Sequence, residues 1–127
     1  MELYCLVAGT RTFSNYALLE QTLDSLINSC PFSDCKIHIV SGAAKGADTL
    51  AAKYARVHGY ELHEFPAEWH KYGYAAGPIR NKQMHEFIRP HKYRVCVCFW
   101  DGQSKGTKGN FELAEQYHTP LKVVRYC

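Results

Sequence analysis

Arg80 follows Gly77-Pro78-Ile79 and shares a helical face with Met84, Phe87 and Ile88, so it is expected to point inward rather than into water. A guanidinium on the buried side of a helix needs an anionic partner. That partner is either a ligand or an internal carboxylate such as Asp101. Three glycine turns suggest the ligand, because each follows an apolar run. Gly9-Thr10-Arg11 follows Leu3-Tyr4-Cys5-Leu6-Val7-Ala8. Ser41-Gly42-Ala43-Ala44-Lys45-Gly46-Ala47-Asp48 follows Ile37-His38-Ile39-Val40. Asp101-Gly102-Gln103-Ser104-Lys105-Gly106-Thr107 follows Val95-Cys96-Val97-Cys98-Phe99-Trp100. A strand, a glycine turn and a helix start together aim backbone N–H groups at a phosphate.

Each candidate also has a plainer account. Gly42 and Gly46 let the backbone approach a phosphate and Lys45 adds a cation, yet they also suit any tight strand-to-helix turn. Asp48 either complements a helix dipole or bonds a ribose hydroxyl or a neighbouring loop. Arg11 either forks onto a phosphate or is a solvated surface arginine. Ser104, Thr107 and the nearby amides would hold a second phosphate, with Asp101 receiving a ribose hydroxyl; otherwise Asp101-Gly102 is a simple turn. Glu112 is the one helical carboxylate close to that loop, but its phase groups it with Glu115 and Gln116 on the polar side. Trp69, Tyr72 and Tyr74 either stack on a base or anchor their own loop.

These residues require elements to position them. Strands are expected over residues 3–8, 36–40, 61–65, 94–100 and 121–126, and helices over 15–28, 47–58, 78–88 and 108–118. Strict alternation implies an α/β fold with a parallel sheet and right-handed crossovers. The first and fourth strands are apolar on both faces and belong at the centre. The third alternates and the fifth carries Lys122 and Arg125, which fits the edges. Order 3-2-1-4-5 satisfies this and creates a switch point between strands one and four, where open α/β sheets bind ligands. The longest irregular stretch, residues 66–77, has a length often found in functional loops.

The chain has 127 residues, one domain's worth, and 46% of them are apolar, enough for a core. No apolar run nears the ~20 residues needed to cross a membrane. Met1-Glu2-Leu3 opens into a strand, so no signal peptide is expected. A net charge of +3 is compatible with an anionic ligand but small for a dedicated nucleic-acid binder. Cys5, Cys96 and Cys98 lie in apolar strands. Cys30 and Cys35 are too far apart for a Cys-x-x-Cys pair, and the seven histidines are scattered. No metal site is expected, and all six cysteines are expected to be reduced thiols of a cytosolic protein.

Four stretches in order resemble the SLOG superfamily, most closely its YspA/cpYpsA-related branch of small bacterial and phage proteins. They are Ala8-Gly9-Thr10-Arg11-Thr12-Phe13, Ser41 through Asp48, Ala76-Gly77-Pro78-Ile79-Arg80-Asn81-Lys82-Gln83-Met84, and Phe99 through Thr107. The resemblance covers nearly the whole chain and implies a Rossmann-like, three-layer sandwich that binds nucleotides or derivatives of the ADP-ribose type. LOG-type phosphoribohydrolases in the superfamily cleave the N-glycosidic bond of nucleoside monophosphates. Arg80 through Met84 is similar to their Arg-Lys-x-x-Met motif, with Asn81 replacing the lysine. Gly106-Thr107 is similar to their Gly-Gly-x-Gly-Thr-x-x-Glu, but Asn110 stands where the glutamate belongs. Glu112 comes two residues late, about 200° further round the helix. DprA, another relative, carries a turn similar to Ser41 through Asp48 and binds single-stranded DNA.

The reading that follows is a binding module that senses or sequesters a nucleotide-derived small molecule. No further cofactor is required, and self-association is compatible with the resemblance. The first alternative is a phosphoribohydrolase using Arg80 and Glu112. The second is single-stranded DNA binding, which the modest charge disfavours.

Overall fold

The computed structural model describes residues 1–29 and 34–126; Cys30 and Cys127 therefore lie outside the described residues. Five strands form one parallel sheet: β1 (Glu2–Gly9), β2 (Lys36–Ser41), β3 (Glu61–Glu64), β4 (Tyr93–Trp100) and β5 (Leu121–Arg125). Their order is β3-β2-β1-β4-β5. The crossovers are made by α1 (Tyr16–Ile27), α2 (Ala47–His58), α4 (Ala76–Ile88) and α5 (Lys105–Gln116), with a short α3 (Trp69–Tyr72) before α4. The fold is Rossmann-like α/β.

Period-two burial on β1 builds both halves of the core. Leu3, Cys5 and Val7 join Leu19, Leu23 and Ile27 of α1 and Ala51, Tyr54 and Ala55 of α2. Tyr4, Leu6 and Ala8 join Met84 and Ile88 of α4 and Ala114 of α5. Strands covered on both faces must be apolar throughout, which is why β1 and β4 are central. The edge strands have no buried residue. At the amino end of the sheet, buried His38 bonds Glu2 at 2.8 Å and His63 at 2.9 Å and stacks on Tyr4.

Two element starts differ from the sequence expectation by more than one residue. The stretch 66–77 is not irregular throughout: α3 and a 3-10 turn at Gly73–Ala75 run into α4, which begins at Ala76. Pro78 is tolerated there because the first turn of a helix has no intrahelical use for its N–H. Helix α5 begins at Lys105, three residues before the expected start at 108. Ser104 is its N-cap and accepts the Thr107 N–H. The cap and the packing of Thr107, Asn110 and Ala114 outweigh the poor helix propensity of Gly106 and Gly109.

Candidate functional site

After β1 the chain turns to the α1 face, and after β4 it turns to the α5 face. The two departures open a crevice at the carboxyl end of the sheet. A cleft of about 440 Å³ occupies it, within the usual size of a small-molecule site. Gly9 and Arg11 come from the end of β1, Asp48 from α2, and Trp69 from α3. Gly77, Arg80 and Asn81 come from the first turns of α4. Ser104, Lys105, Gly106 and Thr107 come from the start of α5. Those expected site residues therefore share one cavity.

Arg80 is buried, only 8% exposed. Helical phase with Met84 and Ile88 turns it inward, and two oxygens hold it. Its Nη1 donates to the Gly42 carbonyl, and its Nε donates to Asn81 Oδ1 at 2.8 Å. The carboxylate that faces it is Asp48, not the Asp101 offered by sequence reasoning. A Cβ on Gly42 would fall 2.8 Å from both Arg80 Cζ and Asp48 Oδ2, so only glycine lets the two charges flank this backbone. Burial is the main force raising the Asp48 carboxyl to about 6; Arg80, the Ala44 N–H and Arg11 pull the other way. Burial likewise lowers the Arg80 pKa, and Asp48 opposes that.

The turn after β2, expected as a phosphate cradle, is braced by its own hydrogen bonds. Asp48 Oδ2 takes the Ala44 N–H at 3.3 Å. Ser41 Oγ accepts the Ala43 N–H and donates to the Asp48 carbonyl. Ala43 has φ 58 and Gly46 φ 79, and Gly46 packs on the carbonyls of Thr10 and Arg11. Of this turn only Ala44 and Asp48 line the cleft; Ser41, Gly42, Ala43, Lys45 and Gly46 do not, and Lys45 is exposed. The Ala43 and Ala44 amides are thus engaged within the turn, while Lys45 and Gly46 lie off the cleft wall.

Two further expected site residues lie off the cleft wall. Thr10 is buried off the cleft wall, and its Oγ1 accepts the Asp101 N–H at 3.2 Å. Asp101 is also off the wall. Its Oδ1 accepts the N–H groups of Gln103 and Ser104 at 2.8 and 2.9 Å, shaping the loop that starts α5. The Ser104 bond first, then that of Gln103, holds its carboxyl below the usual range. Glu112, expected on the polar side, is exposed but lies on the rim of the cleft.

The rim opposite α5 is aromatic. Trp69, 47% exposed, stands with the Arg11 guanidinium 5.7 Å from its ring centroid. Tyr72 and Tyr74 do not line the cavity. The floor contains a residue that the sequence analysis passed over as a ligand group. Asn110, buried at 2% exposure, lines the cleft and meets buried His85. Its signal was spacing: it lies one turn beyond Gly106, on the same helical face. Among the described residues no group of three or more His, Cys, Asp or Glu side chains is placed to hold a metal ion. None of their helices is long and apolar enough to cross a membrane.

Residues 5–72 match the model of the YspA, cpYpsA-related SLOG family. The chain is 30% identical over 123 residues to the Gene 61 protein of Mycobacterium phage D29, spanning 91% of each chain. Among solved structures it is similar to the C-terminal domain of a hydrogenase from Pyrococcus furiosus. That match has 12% identity and a TM-score of 0.49, and it covers 98% of this chain and 94% of the other.

Proposed function

The chain belongs to the YspA, cpYpsA-related SLOG family, and from that premise we propose that its cleft binds a phosphorylated nucleotide or a nucleotide derivative of the ADP-ribose kind. One observation carries the reading: a buried arginine, the start of α5 and an aromatic rim converge on one cavity at the switch point. The N–H groups of Lys105 and Gly106 make no hydrogen bond within the described chain; of the first-turn amides, Ser104 accepts only those of Thr107 and Lys108. They point, with the positive end of the helix dipole, where Arg80 and Lys105 add charge. A phosphate belongs there, and a base belongs against Trp69, where stacking is worth ~1–3 kcal/mol.

A second reading rests on Asp48, whose carboxyl is raised to about 6 and lines the cleft. A carboxyl in that range suits proton transfer during cleavage of an N-glycosidic bond, with Glu112 at the rim as the other acid. The floor itself holds Asn110 rather than a carboxylate, which favours binding without cleavage.

One experiment separates the readings. The protein is melted with AMP, ADP, ADP-ribose and a single-stranded oligonucleotide, and the ligands are recovered and analysed by mass spectrometry. Saturation a hundredfold above Kd adds about 2.7 kcal/mol, a rise in Tm on the order of 10 °C. Arg80→Ala abolishes the rise. Intact recovered nucleotide supports binding, and free base supports hydrolysis. A shift only with the oligonucleotide, falling steeply with salt, would replace both by a nucleic-acid role. No shift with any of them sinks the proposal.

A further inference from the structure

His85 of α4 and Asn110 of α5 form a polar pair beneath the cleft. His85 is fully buried, with Nε2 3.0 Å from Asn110 Oδ1. Its other ring nitrogen, Nδ1, is buried without a hydrogen-bond partner. This asymmetry decides where the proton sits. A proton on Nδ1 would be a buried donor with no acceptor. A proton on Nε2 is donated to Oδ1 and leaves only a lone pair at Nδ1. Burial also lowers the His85 pKa, which keeps the ring neutral with that single proton.

The tautomer then orients the amide. With Oδ1 held by His85, Asn110 offers only N–H groups to its other neighbours. Within the described residues the acceptor for Nδ2 is the Gly106 carbonyl, at 3.5 Å, the outer limit of a hydrogen bond. Asn110 nevertheless lines the cavity, one turn along α5 from the unengaged amides of Lys105 and Gly106. The groups gathered at this end are therefore donors. The acceptors in the cleft lie elsewhere: Asp48 faces Arg80 across Gly42, and Glu112 is exposed at the rim. A ligand ammonium, which only donates, is a poor match here; a hydroxyl accepts from one donor without carrying charge, whereas a phosphate accepts from several and brings the charge that the helix start favours.

We propose that Asn110, locked by His85, is a fixed hydrogen-bond donor to a phosphate oxygen of the ligand, so that the cleft floor selects phosphorylated nucleosides over nucleosides. His85 is a positioning residue: it acts through the amide and touches no ligand. The inference rests on the binding reading above.

The test is calorimetric titration of the full chain with AMP and ADP-ribose as phosphorylated probes and adenosine as the phosphate-free probe. Asn110→Asp keeps the shape of the side chain but replaces the donor by an anion. It is expected to weaken AMP and ADP-ribose about tenfold or more while changing adenosine little. His85→Phe frees the amide to rotate and is expected to narrow the preference for AMP over adenosine several-fold. Nitrogen NMR of the unmodified protein above pH 7 is expected to show His85 protonated at Nε2 alone, a readout that simple packing would not fix. Should Asn110→Asp not fold, Asn110→Ser makes the same comparison. Unchanged AMP affinity, an equal loss of adenosine, or a proton at Nδ1 would each overturn the assignment. An unmodified protein that binds none of the three probes removes the binding reading with it, whereas binding that ignores Asn110 removes this inference alone.

Discussion

Asp48 and Arg80 face each other across Gly42, with no room for a methyl group between them. The arrangement is a buried charge pair in which each partner loses hydration and regains part of the loss from the other. Its consequence for stability has a definite sign. The Asp48 carboxyl rises from an ordinary 3.8 to about 6, so the folded chain holds that proton more tightly than the unfolded chain does. Between those values the native state carries the extra proton, and stability falls as pH rises through the window. The difference corresponds to about 3 kcal/mol. Asp48→Asn keeps an oxygen for the Ala44 N–H and has no proton to release. Urea unfolding is therefore expected to show the wild type losing about 2 kcal/mol relative to Asp48→Asn between pH 4 and pH 7. A constant difference across that range would mean that Asp48 titrates as an ordinary surface acid. The inward turn of Arg80 was legible from its spacing to Met84 and Ile88. Its partners were not, because the Gly42 carbonyl lies 38 residues away and only the folded sheet brings it near.

The turns on either side of the crevice look alike in sequence and differ in what they do. The turn after β2 spends the Ala43 and Ala44 amides on Ser41 and Asp48 and keeps Lys45 and Gly46 off the cleft wall, and the turn after β4 leaves the amides of Lys105 and Gly106 uncommitted on that wall. Glycine placement alone could not separate the two, because each has a polar residue able to act as a cap and which one does so depends on tertiary packing. The same limit applies to where α5 starts. Gly102, Gly106 and Gly109 suggest a loop, yet the Ser104 cap and the buried faces of Thr107 and Asn110 pull the helix back to Lys105. That start presents the amides to the cleft. Ser104→Ala is expected to cost about 1 kcal/mol of stability, as N-cap losses do. Because the cap also fixes the first turn, it is expected to weaken nucleotide binding more than an equally destabilising change far from the cleft. Denaturant unfolding paired with ligand titration checks this; an unchanged affinity would mean that the first turn keeps its place without the cap.

The order of the whole sheet was readable from strand character. Strands apolar on both faces must sit between two layers of helices, and strands with alternating or charged residues tolerate an edge. The crevice position follows from that order. Its floor does not, since His85 and Asn110 meet only where α4 packs on α5. The same central placement has a chemical outcome for the thiols. Cys5, Cys96 and Cys98 are wholly inaccessible in β1 and β4, and the Sγ atoms of Cys96 and Cys98 lie 3.7 Å apart. Burial pushes the Cys5 thiol up to about 12; the bond to Cys98 first, and burial with it, pushes Cys96 up as well. An alkylating reagent needs both contact and a thiolate; the closed sheet denies contact at all three and the thiolate at Cys5 and Cys96. Site-resolved iodoacetamide modification at these three positions should therefore track the minute fraction of molecules whose sheet has come apart. It should slow in step with any ligand that holds the crevice together, and reaction at the pace of a surface thiol would reveal an opening confined to β4. The centre of the sheet thus carries its own gauge of unfolding.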